Sequence, residues 1–147
     1  MPDQNEVVVT GSAAGHAQEI ATGDHRLVSD EPEAAGGTDM GPGPYELLLA
    51  ALGSCTSMTV AMYARRKQWP LETVQVRLRH SKVYATDSAD SDTTPAKLDR
   101  IERDIELKGA LDDEQRARLM EIADRCPVHR TLTSDIEIQT RLVGMGA

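Results

Sequence analysis

The segment from Tyr45 to Gln68 limits most strongly what this chain can fold into. Its first half is apolar around the whole helical circumference, and apolar residues continue through its second half. Pro44 suits the first position of a helix, because proline lacks the amide hydrogen that would be left unbonded there. A helix that is apolar on every side must be buried on every side. The segment therefore predicts a long central helix that is wrapped by a sheet and by a second subunit.

The segments around this helix are typical of strands and short helices. Apolar and polar residues alternate with period two in the strand candidates, and Gly or Pro marks their ends. The predicted strands are Val7–Thr10, Ala17–Thr22, His25–Ser29, Leu71–Ala85, Ile101–Leu107 and Ile136–Leu142. The acidic run Thr86–Ala96 is expected to be a solvated hairpin loop or a disordered tip. Asp112, with Gln115 three residues later, matches a capping box at the start of a helix, and a last short helix follows Cys126. This order predicts one α+β domain spanning residues 1–147, built on an antiparallel sheet.

Composition and charge exclude several classes of partner. The net charge is −8, and the basic residues form no run longer than Arg65–Lys67, so nucleic acid and anionic membranes should be repelled. Aromatic residues make up 3%, with no Phe, which leaves few rings to stack on bases or on a planar cofactor. The N-terminal sequence has no signal-peptide pattern, and the most apolar stretch, Leu47–Leu52, is too short to span a bilayer. A cytoplasmic location is expected.

The two cysteines, Cys55 and Cys126, are the main candidates for chemistry. In a reducing compartment they are not expected to form a structural disulfide, so they are either buried fillers or reactive thiols. Cys55 falls in the middle of the long helix, where a small core filler is the simplest interpretation. Its neighbours are small or hydroxylated, which instead favours a shallow, polar-edged depression there; they are Gly53, Ser54, Thr56 and Ser57.

Cys126 has the better surroundings for ionisation. With Pro127 at the first helical position, Cys126 becomes the N-cap and faces free backbone amides that stabilise a thiolate. His129 and Arg130 add positive charge within one turn. The alternative is a helix cap beside a surface histidine. A zinc site is not expected, because the chain has two thiols, four histidines and no paired C-x-x-C motif.

Two long motifs, each centred on a cysteine, resemble the OsmC/Ohr family of osmotically inducible and organic hydroperoxide resistance proteins. They are GPGPYELLLAALGSCT at residues 41–56, followed by MYAR at 62–65, and ADRCPVHRTL at 123–132; DEP at 30–32 and GGTD at 36–39 are similar to the OsmC-like branch. The resemblance implies an α+β domain in an intertwined homodimer, with the long helices inside and active sites at the subunit interface. It implies reduction of organic hydroperoxides with Cys55 as the attacking thiol and Cys126 as the resolving thiol. No metal, haem or flavin cofactor is implied, and the implied reductant is a small dithiol of the lipoyl type.

The chain departs from the family's pattern at the residues that support the thiol. The peroxidase members carry a glutamate ten residues before the first cysteine, paired with an arginine from an N-terminal strand. Here that position is Tyr45, and the carboxylate follows at Glu46. A basic partner must come from elsewhere, and Arg130 is favoured over Arg26 because it belongs to the Cys126 motif. We expect Glu46, Tyr45, His129 and Arg130 to be the supporting residues.

Two other functions remain open on the sequence. One is a binding module, a dimer whose apolar pocket carries a small ligand and whose cysteines do no chemistry. The other is an acyl hydrolase that uses Cys126 with His129. The hydrolase is the weaker idea, because this pair lacks a third group to orient the histidine.

Overall fold

The computed structural model describes residues 6–84 and 97–144, and its fold class is α+β, as predicted. The elements follow the predicted order, with a 3-10 turn at Glu33–Ala35 before the long helix. In chain order they are β1 (Val8–Gly11), β2 (Gln18–Thr22), β3 (His25–Ser29), α1 (Pro44–Lys67), β4 (Leu71–Tyr84), β5 (Lys97–Gly109), α2 (Asp113–Ala123) and α3 (Pro127–Leu132). The predicted loop Thr86–Ala96 lies outside the described residues. The chain divides into two compact units, 1–50 with 79–101 and 51–78 with 102–147.

The first unit contains a three-stranded antiparallel sheet in the order β1-β2-β3. Ile20 in the middle strand pairs with Val9 on one side and with Leu27 on the other. The predicted turn between β2 and β3 is present, and Gly23 adopts the left-handed conformation that such a turn requires (φ 54°). Ile20 is buried, whereas Val9 and Leu27 are at least half exposed. The unit by itself therefore leaves these apolar side chains of its sheet in contact with water.

The first unit also contains a group of hydrogen-bonded residues that we call the Asp30 cluster. Its members are Asp30, Glu31, Thr38 and Met40. The Asp30 carboxylate is 2% exposed and accepts four hydrogen bonds. The donors are the backbone amides of Glu31 (2.7 Å), Thr38 (3.2 Å) and Met40 (3.1 Å), and the Thr38 hydroxyl (2.6 Å). These bonds tie the ends of the loop that leads into α1.

The second unit holds the apolar core. Its centre consists of Val60 and Ala64 on α1 with Leu119 and Ala123 on α2. Partly buried residues surround this centre; they are Tyr63, Trp69, Leu71, Val74, Ile105, Leu107 and Leu111. Strands β4 and β5 pair in a separate sheet, and every second residue along most of each strand is half-buried. The predicted alternation is therefore confirmed.

Hydrogen bonds at the start of α2 and at the end of α1 confirm two predicted helix boundaries. Asp112 accepts a bond from the Gln115 amide at 2.7 Å, and the Gln115 side chain accepts the Asp112 amide at 3.0 Å, which completes the capping box. At the end of α1, Gln68 takes the left-handed conformation (φ 59°). The Trp69 amide then donates to the Ala64 carbonyl at 2.9 Å, the pattern of a Schellman motif.

One prediction about burial needs revision for the single chain. Helix α1 buries one stripe, from Leu52 through Thr56 and Val60 to Ala64, and leaves Met58 69% exposed. Burial on every side is thus not reached within one chain and stays a prediction for an assembly. By length and mean hydropathy (1.6) α1 could also cross a membrane. The core helix of a soluble protein meets the same criterion, so this is weak evidence.

The prediction of a closing strand at Ile136–Leu142 is wrong for the single chain. Residues 135–144 form neither helix nor strand, and Ile138 and Leu142 are 84% and 91% exposed. The alternating pattern is present in the sequence, but a strand also needs a neighbour whose amides and carbonyls complete its ladder. No described strand of this chain pairs with the segment.

Candidate active site

Cys55 and Cys126 come together in the second unit, with their thiols within hydrogen-bonding reach of each other. Cys55 lies in the central part of α1, and Cys126 precedes α3. Both are free thiols. They differ in access to water: Cys126 is completely buried, whereas Cys55 is partly exposed. An incoming molecule can therefore reach Cys55 more directly than it can reach Cys126.

The backbone around Cys126 explains how it is held. Its amide donates to the Ala123 carbonyl at 3.4 Å, at the end of α2, and its carbonyl accepts the Arg130 amide at 3.1 Å, in the first turn of α3. Cys126 is the N-cap of α3 and Pro127 is the first helical residue, as predicted. The Val128 amide favours the ionised form of both thiols and the His129 amide that of Cys126, although the Cys126 side chain makes no cap hydrogen bond to α3.

These contacts move the pKa values of the two thiols in opposite directions. Burial raises the pKa of Cys55, and its hydrogen bond to Cys126 raises it further. Burial also disfavours ionisation of Cys126, but the Cys55 thiol and the His129 and Val128 amides outweigh it and lower the pKa of Cys126. In the reduced pair the negative charge forms first on Cys126, in agreement with the expectation from the residues around it.

Arg103 was missed as a site residue. Its guanidinium donates to the Thr56 hydroxyl at 2.9 Å and to the Asp124 carboxylate at 2.8 Å, and more weakly to the Ala123 carbonyl at 3.4 Å. The Thr56 hydroxyl is completely buried and donates to the Leu52 carbonyl at 2.7 Å. We call Cys55, Thr56, Arg103, Asp124 and Cys126 the thiol cluster. A signal was present in the sequence, because Arg103 falls in the apolar row of β5, among Ile101, Ile105 and Leu107.

Tyr45 and Glu46, two of the expected supporting residues, have contacts of their own in the first unit. The Tyr45 ring stacks on His80, with ring centroids 4.7 Å apart, and His80 bonds Asp99 at 2.8 Å. The Glu46 carboxylate accepts the Gly43 amide at 3.1 Å, at the start of α1. A rise of about 1.5 Å per residue puts the first turn of α1 some 14 Å along the helix axis from Cys55. A role for either residue at the thiols remains a proposal.

His129 and Arg130, the other expected supporting residues, follow Cys126 in α3. The side chain of His129 is half-buried and that of Arg130 is exposed. His129 acts on Cys126 through its backbone amide. Complete burial of Cys126 weighs against an acyl hydrolase that uses this pair, because its nucleophile must be open to substrate. Within residues 6–84 and 97–144, no three His, Cys, Asp or Glu side chains are grouped as metal ligands.

The fold and the paired thiols define a class of small α+β proteins with two cysteines brought together between a long helix and a short one. The family model for OsmC-like proteins matches residues 36–141, more than half of the chain. The chain therefore belongs to the OsmC-like protein family. A comparison with curated proteins found no match.

Solved structures of similar fold come from several bacteria. A Psychrobacter arcticus protein described as an osmotic stress induced and detoxification response protein is 19% identical, with a TM-score of 0.65, over 89% of this chain and 91% of its own. An OsmC-like protein from Mycoplasma pneumoniae is 17% identical, with a TM-score of 0.63, over 90% and 89%. The organic hydroperoxide resistance protein OhrB of Bacillus subtilis is 19% identical, with a TM-score of 0.58, over 88% and 90%. At these identities the likeness establishes the fold.

Proposed function

We propose that this protein is a thiol-dependent peroxidase that reduces organic hydroperoxides with Cys55 and Cys126. The observation that carries the proposal is the meeting of its only two cysteines, one partly exposed and one buried, within hydrogen-bonding reach. Family membership and the hydroperoxide resistance named for the Bacillus subtilis structure support the same chemistry. No metal or cofactor is required for this reaction.

Exposure to solvent favours Cys55 as the thiol that carries out the first step, the attack on the peroxide. The attacking sulfur must meet the peroxide, and Cys55 is the partly exposed cysteine of the two. Acidity favours Cys126 instead, because its pKa is the lowered one. We give access the greater weight, since a completely buried sulfur cannot reach an outside oxygen whatever its charge. Transfer of one proton from Cys55 to Cys126 along their hydrogen bond reconciles the two observations.

After that transfer the Cys55 thiolate attacks the distal peroxide oxygen, and the O–O bond breaks. Cys55 becomes a sulfenic acid, the leaving alkoxide takes a proton from solvent and departs as an alcohol, and Cys126 gives up its proton again. The Cys126 thiolate then attacks the Cys55 sulfur, so that the S–S bond forms and hydroxide leaves, to be protonated to water. A small dithiol, such as a dihydrolipoyl group, reduces the disulfide by thiol exchange and restores both cysteines.

A thiol count tests this proposal directly. We expect one equivalent of cumene hydroperoxide to remove two free thiols per chain, and a dithiol to restore them. The alternative function, a binding module for a small ligand, predicts that no thiol is lost. That alternative is kept because burial raises the pKa of Cys55, which disfavours its ionisation.

We also propose that the working unit is a homodimer. Large apolar side chains are exposed in β1 and β3, along α1 and in the C-terminal segment, and they include Val8, Val9, Leu27, Met58, Met62, Ile136, Ile138, Leu142 and Val143. Exposed apolar surface of this kind commonly marks an interface between proteins. Sedimentation equilibrium at micromolar concentration should give twice the chain mass of 16.0 kDa. A compact monomer would contradict the proposal.

A further inference from the structure

Arg103 is a charged side chain in the half-buried row of β5, and its side chain is 12% exposed. Withdrawing a guanidinium from water costs free energy unless its donors find partners. Arg103 finds three, and all three belong to the segments that carry the cysteines. This concentration of partners needs an explanation beyond packing, because an apolar residue would fill the same row.

The partners of Arg103 stand beside both cysteines in the chain. Thr56 directly follows Cys55 on α1. Asp124 and Ala123 precede Cys126 by two and three residues, and the Ala123 carbonyl also accepts the Cys126 amide at 3.4 Å. One guanidinium on a third element therefore bonds the α1 segment and the segment between α2 and α3 at the same time.

We propose that Arg103 is a positioning residue that holds Cys55 and Cys126 at the separation from which their disulfide forms. The inference rests on the proposed function in one respect, that the two thiols act as a redox pair. Disulfide geometry is narrow, with Cα atoms about 4.4–6.8 Å apart. A bridge that fixes the two backbones raises the effective concentration of one thiol at the other and so favours the oxidised state.

The shape of the arginine side chain matters for this role. Its donors lie in a rigid planar fork, so Nη1 can bond the Thr56 hydroxyl while Nη2 bonds the Asp124 carboxylate. The Thr56 hydroxyl is itself oriented by its bond to the Leu52 carbonyl. A lysine ammonium is a single point of charge and cannot reproduce both bonds in the same geometry.

The test is a redox equilibrium of the full-length protein in buffers of reduced and oxidised dithiothreitol. In this exchange the two thiols form an S–S bond as the S–S bond of the buffer is cleaved to two thiols, so protons and electrons balance. We expect Arg103→Gln to lower the equilibrium constant for oxidation at least tenfold, which corresponds to about 30 mV for a two-electron couple. Arg103→Lys should give an intermediate value.

Arg116 provides a matched control. Its guanidinium donates to the Leu107 carbonyl at 2.7 Å and to the Gly109 carbonyl at 3.0 Å, which ties α2 to the end of β5. It lies in the same unit as Arg103, and its bonds involve neither cysteine segment. Arg116→Gln should lower the free energy of unfolding but leave the redox equilibrium constant at the parental value. Equal shifts in both variants would overturn the proposal.

A milder variant covers the possibility that Arg103→Gln does not fold. Asp124 is 68% exposed, and Asp124→Ala removes one of the partners of Arg103 without emptying the core. We expect it to lower the equilibrium constant about threefold, a shift near 14 mV. Parental constants in every folded variant at Arg103 and Asp124 would overturn the inference. The assay contains no peroxide, so a parental protein that forms the disulfide but consumes no peroxide would contradict only the proposed function.

Discussion

The Asp30 cluster and the thiol cluster both remove polar groups from water, but their partners come from different parts of the chain. Every bond of the Asp30 carboxylate goes to a residue at most ten positions away. In the thiol cluster, Arg103 bonds Thr56 across 47 positions and Asp124 across 21. The first cluster therefore orders one loop, whereas the second exists only when three distant segments are in place.

The clusters also differ in what their groups can still do. The Asp30 carboxylate accepts four bonds, which hold its pKa at about 2, led by the Thr38 hydroxyl. Such a group stays charged and saturated at neutral pH and has no capacity left for a substrate. The two thiols act on each other, and their pKa values are shifted in opposite directions. A shifted pKa thus indicates structure in the Asp30 cluster and, under the proposed function, chemistry in the thiol cluster.

The sharpest test of this contrast is Cys55→Ser, which we expect to abolish consumption of organic peroxide. A serine hydroxyl is not oxidised by peroxide, and Cys126 is completely buried and cannot replace the partly exposed Cys55. Peroxide loss should be followed with the variant and the parental protein at equal concentration. Substantial residual consumption would assign the first step to Cys126, as its lowered pKa would suggest.

Cys126→Ser should permit one turnover and leave Cys55 as a sulfenic acid, detected by mass spectrometry after trapping. Without Cys126, Cys55 loses its proton acceptor, and burial still raises its pKa. The single-turnover rate of the variant should therefore rise at higher pH than that of the parental protein, whose pair first ionises below the ordinary thiol value of 9.0. Multiple turnovers at the parental rate would contradict the resolving role.

Alanine variants at Arg130 and Glu46 compare the two side chains proposed to support the Cys55 thiolate. If the Arg130 guanidinium supplies the positive charge that favours the thiolate, Arg130→Ala should lower the peroxidase rate at least tenfold, about 1.4 kcal/mol of barrier. Glu46→Ala should lower it less than about threefold, since the Glu46 carboxylate serves a bond at the start of α1. A larger loss of rate in Glu46→Ala than in Arg130→Ala would indicate that the Glu46 carboxylate supports the thiolate.

Asp30→Asn should reduce stability and leave the peroxidase rate per folded molecule unchanged. The pKa of Asp30 is depressed from 3.8 to about 2 in the folded chain, so its stabilising contribution is complete above pH 3.8 and is lost as the pH falls through about 2. Urea unfolding should show a gap between parent and variant at neutral pH that closes in this acidic window. A gap independent of pH would mean that the charge of Asp30 contributes nothing.

Local signals in the sequence predicted most elements of the fold. The apolar run from Tyr45, the capping box at Asp112 and the alternation in β4 and β5 depend on residues close in the chain, and the structure confirms them. The acidity of Cys126 was predicted in the same way, from Pro127 and the amides that follow it. Helix propensity, capping and periodicity act over a few residues, so they can be read without the fold.

The sequence by itself determined the elements, the two cysteines and the local environment of one of them. Only the tertiary structure decided that Cys55 and Cys126 meet, that Arg103 bonds both of their segments, and that Tyr45 and Glu46 are occupied elsewhere. It also showed that the alternation at Ile136–Leu142 does not suffice for a strand within one chain. The physical reason is common to these cases: a hydrogen bond or a strand ladder needs a partner, and the position of a partner distant in sequence is set by how the elements pack.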